Sequence, residues 1–446
     1  RKRIRLDYKR SGATVNLKDK LIQAFQETES TLSFQKERKD SMRRLEEFGF
    51  PTVKDEEWKY TNLLPIIKNE YALSASESII SKDLLDEYIL TETETNIIAF
   101  VNGQFSQELS NIDTDKITLC PLSLAEETHS TVVQNYWGKA LPEHPDSLVA
   151  LNTALSKEGV FVHVPKNTAA ERPIQIVYFT TNISSDLFLQ TRNLVVVEEN
   201  AQVQITERHQ NIDQKEVFTN SVTEIFAHDN SLIDFYKIQN DKRNCSLIDN
   251  TWVKQGKNCT CTVDTFSFGG KFIRNNLSFL LERQHSESNM RGITLIGENQ
   301  LVDHHTLVDH AAANCQSNEM YKGIFDDNAK GVFNGKVMVR PYSQKTNAFQ
   351  SNNNLLLTDS ASIDTKPQLE IYADDVACSH GCTVGQLDDD ALFYLRSRGI
   401  PFKEAQAMLM YAFANDVLSN VKIPELKQKL NRIIAEKLGV KIDIEV

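Results

Sequence analysis

The 446-residue chain has no run of 18 apolar residues, so no segment reads as a membrane-spanning helix. It also lacks an excess of positive charge: 49 Lys and Arg stand against 61 Asp and Glu, a net charge of −12. A nucleic-acid binder needs a basic footprint to displace counterions from phosphates, and the balance here points the other way. The basic opening RKRIRLDYKR has no apolar stretch behind it and does not read as a secretory signal. Residues 1–18 are expected to form a disordered head. Cysteine is sparse and odd in number: Cys120, Cys245, Cys259, Cys261, Cys315, Cys378 and Cys382. That count in a long chain without an export signal predicts reduced thiols in a cytoplasmic protein, most of them small buried hydrophobes.

Catalytic signatures are missing as well. Gly331–Lys336 (GVFNGK) and Gly269-Gly270-Lys271 have the wrong spacing for a phosphate loop, and no Ser or Thr follows the Lys to hold magnesium. There is no G-x-S-x-G and no H-E-x-x-H. The chain is therefore not itself a P-loop ATPase.

What is present changes character along the chain. Residues 19–95 read as helical. Leu21, Ile22 and Phe25 share a helical face, and Met42, Leu45 and Phe48 continue one up to Gly49, a plausible cap. Leu63-Leu64-Pro65 is expected to break helix. From Asn96 to about residue 387 strand-like runs dominate, apart from a helical interruption near 123–156. Ile97–Val101 ends at the turn pair Asn102-Gly103, and Val160–Val164, Ile174–Phe179, Thr260–Phe268 and Gly292–Ile296 follow. A polar step, a small residue and an apolar run recur at Glu199–Val203, Asp229–Ile233, Lys257–Cys261, Asp327–Ala329 and Asp359–Ile363. Several intervals are about 30 residues, the range that marks stacked repeats. One such coil cannot bury its own apolar face, whereas a stack can. The expected fold is mainly β: a parallel β-helix core (96–387) between helical regions, with a β-sandwich as the alternative. In residues 388–446, Asp388–Arg398 reads as a helix closed by Gly399. Pro401 starts a second, with Ala405, Met408, Leu409, Ala412 and Phe413 as its apolar stripe. Pro424 starts a third, ended by Gly439. These helices are expected to cap the open end of the solenoid.

Three groups of side chains are candidates for chemistry. In an extended strand Cys378, His380 and Cys382 project on one side, a set suited to soft metals or iron–sulfur ligation. The other reading of the same residues is two packed thiols and a hydrogen-bonded histidine. Alternation splits Asp303–His310, with Asp303, His305 and Asp309 on one face and His304 and His310 on the other. Polar ladders explain that segment better than one metal site. Cys259 and Cys261 should point to opposite faces.

TKPQLEIYADDVACSHGCTVG (365–385) and LFYLRSRGI (392–400) resemble the SufB/SufD family of SUF iron–sulfur cluster assembly scaffolds, the D branch above all. So do GFPTVKDEEWKYTNL (49–63), the segments 146–167, 192–209 and 301–327, and GKVMVRP at the start of 335–381. The B branch carries a scaffold cysteine in a K-C-G-A-H-T segment where this chain has Ala361–Lys366, so that cysteine is absent here. The resemblance implies a non-enzymatic scaffold that pairs with a SufB-like subunit through the ends of the two β-helices. It implies that the C-terminal helices dock a SufC-like ABC-type ATPase, with Tyr394, Arg396, Arg398, Met408, Tyr411 and Phe413 as the expected contacts. His380 matches the family histidine near the interface where a cluster forms, and Cys378 fits the pattern. Cys382 departs from it, since a small residue such as Ala is familiar there. No stably bound cofactor is implied, only a transient cluster at the interface, and a homodimer is conceivable for the isolated chain. The competing readings are a stand-alone β-helix metal-binding protein and a β-helix carbohydrate-active enzyme.

Overall fold

The computed structural model describes residues 16–28, 30 and 32–440. Most of the expected disordered head lies outside these residues. Its last two positions, Leu17 and Lys18, already belong to a helix.

The N-terminal region holds helices α1 (Leu17–Thr28), α2 (Gln35–Phe48), α3 (Leu64–Ile67) and α4 (Lys82–Tyr88). Leu17, Leu21 and Phe25 form the buried stripe of α1; Met42 and Leu45 form that of α2, whereas Phe48 stays exposed. Gly49 ends α2 at φ 70°, its N–H bonded to the Leu45 carbonyl at 2.9 Å. Pro65 does not break a helix as expected. It sits in the first turn of α3, where a missing N–H costs nothing.

The hairpin β1 (Asn96–Val101) and β2 (Gln104–Asn111) turns at Asn102 and Gly103, both at positive φ. β3 (Thr118–Pro121) leads into α5 (Leu122–Thr128), α6 (Ser130–Tyr136) and α7 (Ser147–Leu155), the expected interruption. The solenoid then runs through β4 (Val160–Val164), β5 (Ile174–Thr180), β6 (Leu187–Val197), β7 (Gln202–Asn211), β8 (Val217–Ala227) and β9 (Leu232–Gln239). It continues with β10 (Cys245–Gln255), β11 (Thr260–Ser267), β12 (Phe272–Leu281), β13 (Glu287–Ile296), β14 (Leu301–His310) and β15 (Gln316–Phe325). The last coils are β16 (Lys330–Val339), β17 (Thr346–Leu356), β18 (Ser362–Ile371) and β19 (Val376–Gly385). Successive strands alternate between two sheets, and like-numbered neighbours pair in parallel along each. β18 ends the nine-stranded sheet and β19 ends the ten-stranded one. This is the expected parallel β-solenoid.

The offset between paired strands varies from 26 residues (Ser246 to Phe272) to 33 (Phe161 to Leu194), which is why the repeat looks loose in sequence. The recurring turn is in fact two different corners. Asn200, Asn230 and Asn258 sit at one corner with φ 54–59°, and the Asp327 and Asp359 steps belong to the other. At the first corner each asparagine amide donates to the one before it, Asn258 to Asn230 (3.1 Å), Asn230 to Asn200 (2.9 Å) and Asn200 to Asn167 (2.8 Å). Asparagine tolerates the left-handed backbone that this corner needs. Inward side chains such as Ile176, Val195, Phe235, Val263 and Phe279 form the continuous core.

Two buried arginines tie the N-terminal half together. Arg38 donates to the carbonyls of Thr153, Ala154 and Ser156 at the end of α7 (3.1, 3.3 and 2.7 Å). Arg192 pairs with Glu224 at 2.5 Å, both fully buried. Removing one partner of such a pair costs about 3–5 kcal/mol, because the other charge is left buried alone.

After the solenoid come α8 (Asp389–Ser397), α9 (Phe402–Leu418) and α10 (Pro424–Lys437). They do not cap the open end as expected. Helices α9 and α10 lie against the outer face of the ten-stranded sheet, burying Met410, Ala414, Val417, Leu426, Leu430 and Ile434 against Tyr236, Phe266, Ile293 and Ile324. The buried stripe of α9 is Ala407, Met410, Ala414, Val417 and Leu418, and of the expected stripe only Ala405 is buried. Apolar residues surround most of this helix, so their period alone does not select a face. Polar clamps hold it: Lys322 with Asp416, and Lys422 with Asp234 at 2.7 Å. The Glu425 carboxylate accepts from the backbone N–H groups of Thr91, Glu92 and Thr93 (2.6, 3.0 and 2.7 Å). No helix among the described residues is long and apolar enough to cross a membrane.

The Glu425 clamp gives a testable outcome. Partial burial opposes its charged form, but the three N–H donors overcome this and hold its pKa below the ordinary 4.5. Its contribution is therefore present above pH 4.5 and is lost as pH falls through the depressed value. Glu425→Ala should lower unfolding free energy at pH 7 by roughly 1–2 kcal/mol in urea titration. The difference from the unsubstituted chain should shrink in acid.

Candidate functional site at the open end of the solenoid

β19 pairs with β17 in a register that sets Cys378 beside Ala348, His380 beside Gln350 and Cys382 beside Asn352. Ala348, Gln350 and Asn352 are buried, so this is the inward face of the coil. Cys378, His380 and Cys382 thus share the inward face, as strand alternation requires. No further coil among the described residues covers them. Cys378 is half-buried, and His380 and Cys382 are exposed. Across the coil, Thr365 of β18 places its Oγ1 3.1 Å from the Cys382 Sγ. The same loss of cover shows in apolar neighbours: Ile371 is 39 % exposed, whereas Val339, one coil back, is fully buried. Val384, Phe349 and Tyr372 add exposed apolar surface around this end. Pro367, which has no N–H to give, stands in mid-strand on β18, a position confined to sheet edges.

The strand geometry limits what these three side chains can do together. At about 3.3 Å per residue, positions 378 and 382 are roughly 13 Å apart along the strand. One ion bound at ~2.0–2.3 Å can take at most two neighbours of this row. Among the described residues no three His, Cys, Asp or Glu side chains form a ready metal cage. Burial pushes the Cys378 thiol above its ordinary value, so it is protonated at neutral pH until a metal or base approaches. Behind His380 the interior is polar. Gln350 donates to Glu319, whose carboxyl burial pushes up to about 7.

Five cysteines are buried, Cys120, Cys245, Cys259, Cys261 and Cys315. Cys259 and Cys261 do not diverge as expected. The two are two positions apart, and residues so spaced face the same side of a strand, so both sulfurs join the same core.

The histidine-rich segment divides by face as the alternation predicts. His304 and His310 point inward, His304 to Thr294 (3.0 Å) and His310 to Ser317 (2.9 Å). Asp303 and His305 face outward beneath the N-terminal region, and Asp309 pairs with Arg340. Asp303 binds Arg274 at 2.8 Å and His305 at 3.0 Å, and His305 reaches Glu57 at 3.2 Å. Trp58 stacks over the Arg274 guanidinium at 3.9 Å. This cluster docks residues 56–61 on the sheet.

A second surface lies on α8 and the start of α9. No residue of α8 is buried. Phe393 (73 %), Tyr394 (57 %), Phe402 and Met408 are exposed together. Arg396 lies over Phe402 and Arg398 over Tyr394. Tyr411 and Phe413 instead pack partly into the helix–sheet core, with Lys322 Nζ 4.3 Å from the Phe413 ring. Phe393 and Phe402 are not among the expected contact residues, although Phe393 adjoins Tyr394 in an apolar run that nothing else explains.

Residues 179–413 match the SufBD core domain of the SUF system for FeS cluster assembly, and residues 16–176 match the SufBD protein N-terminal region. The chain belongs to the SufBD family of iron–sulfur cluster assembly proteins. It is 31 % identical to a SufBD family protein of Synechocystis over 94 % of this chain and 95 % of that one. It is 29 % identical to the iron–sulfur cluster assembly protein SufD of Escherichia coli, over 87 % and 90 % of the two chains. SufD of Bacillus subtilis is 26 % identical over 96 % and 99 %. Among the described residues of this SufBD chain, the open solenoid end and the α8 face are left without cover of their own.

The outward cluster yields a pH prediction. Burial alone would lower the His305 pKa, but the Asp303 carboxylate and the Glu57 hydrogen bond overcome it and raise it above the ordinary value. A raised folded-state value means that stability is fully present below about pH 6.5 and is lost as pH rises through the folded pKa. Hydrogen exchange at residues 56–61 should therefore accelerate, relative to the sheet beneath them, as pH rises through that range. His305→Asn should remove the pH dependence.

Proposed function

We propose that this chain is a non-enzymatic, D-type scaffold subunit that completes its cluster-building site with a second protein. In this reading the open end pairs with a SufB-like subunit. His380, together with Cys378 or Cys382, supplies one or two ligands to an iron–sulfur cluster, the cargo of the assembly. The partner supplies the rest. The α8–α9 face, with Phe393 and Tyr394 central, docks a SufC-like ABC-type ATPase. ATP-driven closure of two such ATPases would strain the paired solenoids and open the interface to incoming iron and sulfide. When the chain is alone, the same edges would serve a second copy.

The observation that carries this reading is the inward-facing imidazole at an uncovered end. A side chain on the core face of a solenoid is ordinarily buried, and here it is exposed only because the last layer is missing. Neutral imidazole and thiolate are suited to iron. A row that can give an ion no more than two ligands fits a site shared between chains. Exposed aromatics next to arginines are the composition of interface anchors.

The test is anaerobic co-purification from the native cell, followed by cluster analysis of the assembly. An ATPase and a cysteine-bearing sister chain should accompany this protein. His380→Ala should leave that assembly intact and lower its cluster content by about tenfold. Unchanged cluster content in His380→Ala would remove the role assigned to the histidine.

A further inference from the structure

Two buried polar side chains with unfilled hydrogen-bonding capacity lie between His380 and the solenoid interior. Gln350 is the neighbour of His380 on the inward face, and Glu319 is the neighbour of Gln350 one coil deeper. Each is only 3 % exposed. The Gln350 amide donates from Nε2 to Glu319 Oε2, with its Oε1 at the other end of the amide. The Gln350 Oε1 has no partner. A buried acceptor without a donor costs about 1–3 kcal/mol, and such groups are rare. The backbone leaves room for this amide in particular. It crosses the coil to rest against Gly335, where a Cβ would collide with it. Neighbouring side chains on one face of a sheet are about 4.8 Å apart, within reach of a ring N–H bonding to an amide oxygen.

We propose that Gln350, oriented by Glu319, is the positioning residue for His380. Its Oε1 accepts the imidazole N–H on the solenoid side and leaves the other ring nitrogen unprotonated toward the open end. This rests on the reading of His380 as a cluster ligand and adds to it how the ring is held. A metal-binding histidine commonly donates its second N–H to such a partner, which fixes both tautomer and ring direction. Here the partner belongs to the same chain and is itself held by a carboxyl, so the ligand is set before any second protein arrives. The two buried groups serve orientation and take no part in binding the cluster.

The experiment follows the imidazole nitrogens of the full chain labelled with 15N-histidine, with His380→Gln assigning the His380 signals. The unsubstituted chain should show one neutral tautomer of His380. Gln350→Met should show both, and cluster retention by the anaerobic assembly should fall about tenfold or more. Glu319→Gln keeps an acceptor for Nε2 and should keep the single tautomer. Gly335→Ala displaces the amide without changing its chemistry and should reproduce Gln350→Met, so it decides the matter should Gln350→Met not fold. An unchanged tautomer when the amide is removed or displaced overturns the proposal. The two readings fail separately. Unchanged cluster content in His380→Ala ends the ligand role, whereas the tautomer measurement decides the hydrogen bond in either case.

Discussion

Parallel pairing between strands about 30 residues apart has a consequence at the last coil that no local adjustment removes. Each layer buries its inward side chains and satisfies its backbone groups only because another layer follows. At β18 and β19 no further described strand follows, so a row of backbone donors and acceptors and a row of core-type side chains meet solvent together. Proteins usually blunt such edges or cover them. The C-terminal helices are the obvious cover, yet Lys322–Asp416, Lys422–Asp234 and the Glu425 clamp tie them to the flank of the ten-stranded sheet. The open end is thus a product of where those helices are held.

This arrangement separates the two surfaces by kind. The end of the solenoid offers backbone edges, a polar inward row and small apolar patches, which suits pairing with another sheet. The α8 helix offers Phe393, Tyr394 and two arginines on an element that buries none of its own residues. A helix without a core of its own gains its order from what it touches. Both features sit next to the same last coil, since α8 begins only a few residues beyond β19. Under the proposed function, movement of a partner bound to α8 would act within a short stretch of chain on the strand that carries His380.

Much of this was legible in the sequence, and the parts that were not have physical reasons. The strand runs, the Asn-Gly hairpin and the β-solenoid follow from period and turn chemistry, because Asn200, Asn230 and Asn258 mark one corner in successive coils. The shared inward face of Cys378, His380 and Cys382 follows from alternation alone. That face's exposure does not, because alternation tells which side a residue faces and not whether another layer covers it. Pro367 in mid-strand was the available sign of an edge. The helices' true position was hidden because α9 is apolar on more than one face, so Met408 and Ala412 looked as core-like as Met410 and Ala414. Cys259 was misplaced because a spacing of two keeps it on the same side as Cys261, not on the opposite one. Gln350 and Glu319 gave no signal at all, since a polar residue at an inward position looks the same as an outward one until the register is known.

The central claim is that the inward row at the end of the last coil is uncovered in this chain and covered by another. Alkylation kinetics at Cys382 test it most directly, because Cys382 is the exposed cysteine of the set while five others are buried. In dilute, monomeric chain Cys382 should react readily. Addition of the cysteine-bearing sister subunit should slow that reaction by about tenfold or more. An unchanged rate in the assembled complex would contradict the account.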